Sequence, residues 1–155
     1  MKILIPTDGS KHSEAAIREV ASQIWPEGSQ ARVLYAVELY PRNLHGASLI
    51  APERYEEIEH LDRDRSKSFI DEAVEILVSG GFRPDDVSTS VVLGTPKRVI
   101  LDEAEEWKAD LIVVGSHGDG PIKRFLIGSV SLAVAMHAPC SVRVVRPRYE
   151  DDDED

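Results

Sequence analysis

The sequence has little cysteine, few aromatic residues and no long apolar run. Its single cysteine, Cys140, excludes an intramolecular disulfide and suits a reducing compartment. No window approaches the roughly 20 apolar residues of a membrane-spanning helix. The first residues also lack the apolar stretch and small-residue cleavage site of a signal peptide. We therefore expect a cytoplasmic protein.

Positive charge is also scarce. The 18 Lys and Arg residues stand against 28 Asp and Glu residues, which gives a formal net charge of −10. Such a surface repels the phosphate backbone and argues against a general nucleic-acid binder. Six of the negative charges lie in residues 150–155, so residues 1–149 carry a net charge of only −4. We expect a single domain over residues 1–147 and a solvated acidic tail over residues 148–155.

Short apolar segments alternate with helical patterns along the chain. Apolar residues recur at helical spacing between five segments that predict buried strands: residues 2–7, 31–37, 87–93, 111–114 and 141–145. The order β-α-β-α-β-α-β-α-β predicts an α/β fold with a doubly wound, five-stranded parallel sheet and helices on both faces, as in Rossmann-like domains. Ligands bind such sheets at the carboxyl ends of strands, near the point where strand order reverses.

A glycine-rich loop follows the fourth predicted strand. The segment GSHGDGPIKRFLIGSVS runs from Gly115 to Ser131, with Gly118 inside the loop and Gly128-Ser129 where a helical pattern begins. We expect the N–H groups of Gly128 and Ser129 to be free at this helix start and the hydroxyls of Ser129 and Ser131 to face outward. Together with the helix dipole they would make a phosphate site. A loop with an N-capping serine and no ligand is the alternative. The pattern is neither a P-loop nor the dinucleotide-binding fingerprint.

Polar residues also follow the first predicted strand. Asp8 could accept hydrogen bonds from a ribose or a base. Alternatively Asp8, Ser10 or Ser13 caps the first helix.

His117, in the glycine loop, is either a phosphate contact or a plain loop histidine. No two of the five histidines have metal-ligand spacing with a third partner, and Cys140 is better explained by packing than by redox sensing.

The spacing Gly115-x-x-Gly118, nine residues, then Gly128-Ser129 resembles the ATP-binding signature of the universal stress protein family. Three more segments resemble the family's opening strand and loop, its turn after the third strand and its closing segment: ILIPTDGS at residues 3–10, GTP at 94–96 and HAPCSV at 137–142. The resemblance implies an adenine nucleotide alpha hydrolase-like fold. It also implies ATP as the ligand, with or without Mg²⁺ on its phosphates.

The family resemblance extends to individual site residues. It implies that Pro6, Thr7 and Asp8 line the adenosine half of the pocket and that the backbone of Val37 contacts the base. The predicted nucleotide-binding residues at the phosphate end are Gly115, His117, Gly118, Gly128, Ser129, Val130 and Ser131.

The resemblance further implies homodimers that pair through the last strand, Ser141–Val145, where Arg143 replaces an apolar residue usual in the family. No recognisable general base stands beside an attacking water, so we do not expect an enzyme. The expected function is that of a nucleotide-dependent regulatory or interaction module in the stress response, with a protein partner that the sequence does not name. A nucleotide-free dimeric interaction protein and a slow ATP hydrolase are the alternatives.

Overall fold

The computed structural model describes residues 1–38, 52–117 and 127–147, with backbone alone for 52–59 and 61–62. The predicted order of five strands and four helices is confirmed, with strand ends within one residue of the sequence-based bounds. The elements are β1 Lys2–Pro6, α1 Lys11–Ala21, β2 Gln30–Val37, α2 Pro52–Ser79, β3 Val87–Leu93, α3 Pro96–Trp107, β4 Leu111–Gly115, α4 Ser129–His137 and β5 Ser141–Val145. The predicted acidic tail and most of the predicted insertion at residues 40–52 lie outside the described residues.

The five strands form one parallel sheet in the order β3-β2-β1-β4-β5. The chain runs outward from the central strand β1 to β3, then crosses back to place β4 on the other side of β1. Strand order therefore reverses between β1 and β4. The predicted doubly wound fold is confirmed, and its switch point lies where Pro6 and Gly115 end the two inner strands.

Side chains alternate between two cores along the central strand. Ile3 and Ile5 belong to the core under α1 and α2, whereas Leu4 belongs to the core under α3 and α4, and each is 0% exposed. Burying each such side chain stabilises the fold by about 1.5–3 kcal/mol. These two cores fix the strand ends, and with them the loops at the switch point. Neither α2 nor any other helix among the described residues has the length and apolar character needed to cross a bilayer.

Strand β5 forms one edge of the sheet, and the side chain of its Arg143 contacts α1 and the residues after it in the same chain. The guanidinium lies 3.5 Å from Glu19 of α1 and 5.8 Å from the centre of the Trp25 ring. Both groups are partly exposed, so the ion pair contributes no more than about 1 kcal/mol. The arginine is thus accommodated within the subunit.

Candidate functional site

The loop after β1 is held by backbone and hydroxyl hydrogen bonds. The Thr7 N–H donates to the Leu34 carbonyl at 2.8 Å. Ser10 caps α1, since its hydroxyl accepts the Ser13 N–H at 3.2 Å. Asp8 is exposed, and its Oδ1 accepts the Ser10 N–H at 3.0 Å. Of the three predicted capping candidates, Ser10 therefore caps the helix, and the Asp8 carboxylate remains exposed at the carboxyl end of the central strand.

Gly9 brings α2 onto the same loop. Its φ is +77°, and a Cβ there would overlap the ring of Phe69. Beside this contact a cavity of about 30 Å³ is lined in part by Thr7, Ser13 and Phe69. That volume admits a water molecule but no nucleotide. The cavity behind the loop is therefore not the ligand site, and the open side of the switch point is the better candidate.

Gly115, at the end of β4, lets α1 approach the sheet. A Cβ at this position would lie 2.5 Å from both C and O of His12 and 2.8 Å from the N of Ser13, all backbone atoms. Its φ is not positive. The glycine is thus required for close packing of the first turn of α1, and not for an unusual backbone angle.

The start of α4 is anchored to the end of β4. The N-cap residue Gly128 donates its N–H to the Ser116 carbonyl at 2.7 Å. The hydroxyl of Ser131 is buried and donates to the Gly115 carbonyl at 2.6 Å. Two expectations are therefore wrong, because these groups close the strand–helix junction: the Gly128 N–H is not free, and the Ser131 hydroxyl does not face outward. Ser129 is exposed, as expected.

The first turn of α4 nevertheless offers three donors. Within the described residues, the backbone N–H groups of Ser129, Val130 and Ser131 have no hydrogen-bond partner. Such groups at a helix start carry partial positive charge and lack intrahelical acceptors. They provide a site that suits an anion at the carboxyl end of β4.

Ser116, whose carbonyl accepts the Gly128 N–H, joins two histidines through its side chain. Its hydroxyl is buried and lies 3.1 Å from Nδ1 of His12 and 3.1 Å from Nδ1 of His117. His117 is only 9% exposed, and its Nε2 is buried without a hydrogen-bond partner among the described residues. The prediction singled out His117 but missed His12 and Ser116. No local pattern links His12 with Ser116, which are 104 residues apart in the chain.

The remaining predicted site residues are Pro6, Val37 and Gly118. Pro6 is half-buried at the end of β1. The Val37 carbonyl faces β3 and accepts the Gly94 N–H at 2.9 Å. Backbone direction alternates along a strand, so Ala36 instead faces the β1 side, beyond the end of β1. Gly118 lies outside the described residues, so its predicted role stays a prediction.

Cys140 lies outside this group of residues. Cys140 packs against the core under α3 and α4, which confirms its packing role. Burial, and to a lesser extent the charge of Asp110, raises the pKa of the Cys140 thiol above its ordinary value. Among the described side chains, no group of three or more His, Cys, Asp or Glu residues is arranged to hold a metal ion.

Comparisons with known proteins agree with this architecture. The sequence profile of the Universal stress protein family matches residues 1–146. A universal stress protein of Staphylococcus aureus (strain USA300) is 30% identical over 149 residues, covering 93% of this chain and 82% of that protein. The structure of the universal stress protein UspA from Lactobacillus plantarum has a TM-score of 0.73 and 25% identity, covering 94% of this chain and 97% of that one.

A second similar structure is a universal stress protein family protein from Arabidopsis thaliana with AMP bound. It has a TM-score of 0.67 and 17% identity, and covers 100% of this chain and 97% of that one. At this identity the likeness shows the fold alone. Together with the profile match and the Staphylococcus relative, the sheet order places this chain in the universal stress protein family.

Proposed function

We propose that this universal stress protein binds ATP at the switch point between β1 and β4 and acts as a nucleotide-dependent interaction module in the stress response. The observation that carries the proposal is the set of unpartnered donors at the end of β4. The N–H groups of residues 129–131 have no partner among the described residues. The buried Nε2 of His117, which is a donor in the Nε2–H tautomer, has none there either. A phosphate group supplies the acceptors that such donors need. The AMP bound by the Arabidopsis relative supports an adenine nucleotide as the source of that phosphate.

The adenosine end is proposed at the loop after β1. Thr7 is buried, and its hydroxyl already lies 3.1 Å from that of Ser13. Asp8 is exposed with a carboxylate that has capacity for more hydrogen bonds than the one from Ser10. We assign the ribose contact to Asp8 and the base contact to the backbone at the end of β2, where Ala36 faces the β1 side and Val37 follows. Mg²⁺ would reach the site on the ATP phosphates.

Replacing Asp8 tests the adenosine half and the binding function together. Calorimetric titration should show saturable ATP binding by the wild type, with about tenfold weaker binding by Asp8→Asn, which loses the charge-assisted hydrogen bond. Asn keeps an oxygen that can accept the Ser10 N–H, so the loop should remain folded. If the contact is to the ribose 2′-hydroxyl, wild type and variant should bind 2′-deoxy-ATP equally. No ATP binding by the wild type at millimolar concentration would overturn the proposed function.

Binding without turnover is part of the proposal. Phosphoryl transfer needs positioned metal ligands and a group that orients the nucleophile, and the donors at α4 hold phosphate without supplying either. In this account, ATP bound at the start of α4 changes the surface that a protein partner contacts. Phosphate release during a long incubation with ATP would favour the slow hydrolase instead.

We also propose that the subunit forms a homodimer through the β5 edge. An edge strand leaves a row of unpaired backbone groups. Helix α4 packs against β5, and its apolar residues Leu132 and Met136 are 47% and 69% exposed. A helix that is apolar all round is normally covered. A second copy of the chain would cover both the β5 edge and these exposed apolar side chains. Arg143 would keep its ion pair with Glu19 of the same subunit.

A charge on the outer face of α4 should separate the proposed subunits. Met136→Glu is expected to convert a dimer into a monomer at micromolar concentration, because the buried carboxylate would lack a partner. Sedimentation equilibrium measures the mass directly. Ile24→Glu is the matched control, since Ile24 is fully exposed after α1 and its replacement should leave the mass unchanged. A wild-type monomer, or a dimer insensitive to Met136→Glu, would contradict this assignment.

A further inference from the structure

A hydrogen-bond chain connects two histidines through one buried hydroxyl. Ser116 is 1% exposed, and its Oγ lies 3.1 Å from Nδ1 of His12 and 3.1 Å from Nδ1 of His117. The ring centres are 5.0 Å apart. The first ring comes from the first turn of α1 and the second from the residue that follows Ser116. The absence of a Cβ at Gly115 allows that turn to approach β4.

The hydroxyl of Ser116 has one hydrogen, so it can donate to only one of the two Nδ1 atoms. When both rings are neutral, the other ring must donate its own Nδ1–H to Oγ. The two Nδ1 atoms are therefore in opposite protonation states. It follows that the tautomer of His12 determines the tautomer of His117.

The tautomer of His117 also decides whether its other ring nitrogen, Nε2, can donate a hydrogen bond. Nε2 is buried and has no hydrogen-bond partner among the described residues. A neutral His117 can donate from Nε2 to an anion only if its Nδ1 is an acceptor, and that requires the Ser116 hydrogen to point toward it. His12 must then supply the hydrogen bond that Oγ accepts. An anion that accepts a hydrogen bond from Nε2 thus favours one direction of the whole chain.

We propose that His12 and Ser116 are positioning residues, which hold His117 as the Nε2–H tautomer so that it donates to a nucleotide phosphate. The inference rests on the proposed function, because that phosphate is the acceptor. The hydrogen bonds run from His12 Nδ1–H to Ser116 Oγ and from Ser116 O–H to His117 Nδ1. Neither positioning residue touches the nucleotide in this account.

ATP titrations of three variants test the chain at pH 8, above the ordinary histidine pKa of about 6.5. Ser116→Ala and His12→Phe should each weaken ATP binding about tenfold, because a misoriented donor loses most of a charge-assisted hydrogen bond. His12→Asn keeps a side-chain N–H near the position of Nδ1 and should retain most of the affinity. Adenosine has no phosphate, so its affinity should be the same for all three variants and the wild type.

A double-mutant cycle separates positioning from a general structural effect. His117→Phe removes the proposed donor, so Ser116→Ala should cause no further loss of ATP affinity in that background. If Ser116→Ala only disturbed the fold, its effect would persist there. Nitrogen NMR of the free protein reads the tautomer directly. We expect Nε2–H on His117 in the wild type and in His12→Asn, and mixed tautomers in Ser116→Ala.

The outcomes distinguish this inference from the proposed function. Failure of the wild type to bind ATP at millimolar concentration overturns both. ATP binding that Ser116→Ala and His12→Phe leave unchanged overturns the positioning role alone and leaves the α4 site standing. An Nδ1–H tautomer of His117 in the wild type also overturns it, whether or not the variants fold.

Discussion

Ser129→Asp is expected to abolish ATP binding without destabilising the protein. The side chain is exposed at the first position of α4, where a carboxylate would occupy the place proposed for phosphate. Two unit charges about 4 Å apart repel by about 4 kcal/mol at an effective dielectric constant near 20. An affinity loss of about 100-fold or more should follow, measured by calorimetry at constant ionic strength.

The same substitution should leave the fold intact or slightly more stable. A negative charge in the first turn interacts favourably with the helix dipole by about 0.5 kcal/mol, which corresponds to a Tm rise of roughly 1–2 °C for a chain of this size. The side chain introduced by Ser129→Asn has nearly the same shape as that of Ser129→Asp but carries no charge. The Ser129→Asn variant should therefore bind ATP almost as well as the wild type. Equal ATP affinity for Asp and Asn variants would show that phosphate does not bind at this helix start.

The second large effect is expected on stability, from Gly115→Ala. The added Cβ would meet backbone atoms of His12 and Ser13 at 2.5–2.8 Å, and backbone cannot move aside as a flexible side chain can. Overpacking of this kind typically costs 1–3 kcal/mol, and we expect about 3 kcal/mol here. Thermal unfolding should show a Tm lower by roughly 6–12 °C.

Gly28→Ala is the comparison for Gly115→Ala. Gly28 has a φ of +78°, and a Cβ added to it would have no neighbour within 4 Å, so alanine there meets conformational strain but no clash. Its cost should be about 1 kcal/mol, clearly less than at Gly115. A Gly115→Ala variant as stable as Gly28→Ala would mean that the first turn of α1 is free to shift, and that Gly115 does not fix the position of His12.

The fold was predictable because its signals are local and repeated. Apolar runs such as residues 111–114 each mark one strand, and parallel strands joined by helices permit few arrangements. The bounds of β1, β2 and β4 each differ from the prediction by one residue. At a strand end the hydrogen bonds between strands decide which residue is last, and the sequence pattern does not show them.

The site was only partly predictable because its closest contacts join distant parts of the chain. The glycine spacing identified the α4 start, but it could not show that Ser131 donates to Gly115 or that the Gly128 N–H is already used. Gly115 was predicted at the phosphate end of the site, and the structure shows in addition that its lack of a Cβ admits the backbone of α1. The meeting of His12 with Ser116 depends on that packing and leaves no pattern in the sequence.

The most direct test of the central claim is amide NMR of the first turn of α4 during titration with ATP, with adenosine as the comparison ligand. The account predicts that the amide protons of Ser129, Val130 and Ser131 shift downfield as ATP saturates the site, because phosphate oxygens accept from them. Adenosine should leave these three signals in place while it moves signals near Asp8. ATP binding that leaves the three amides unshifted would contradict the proposed phosphate site.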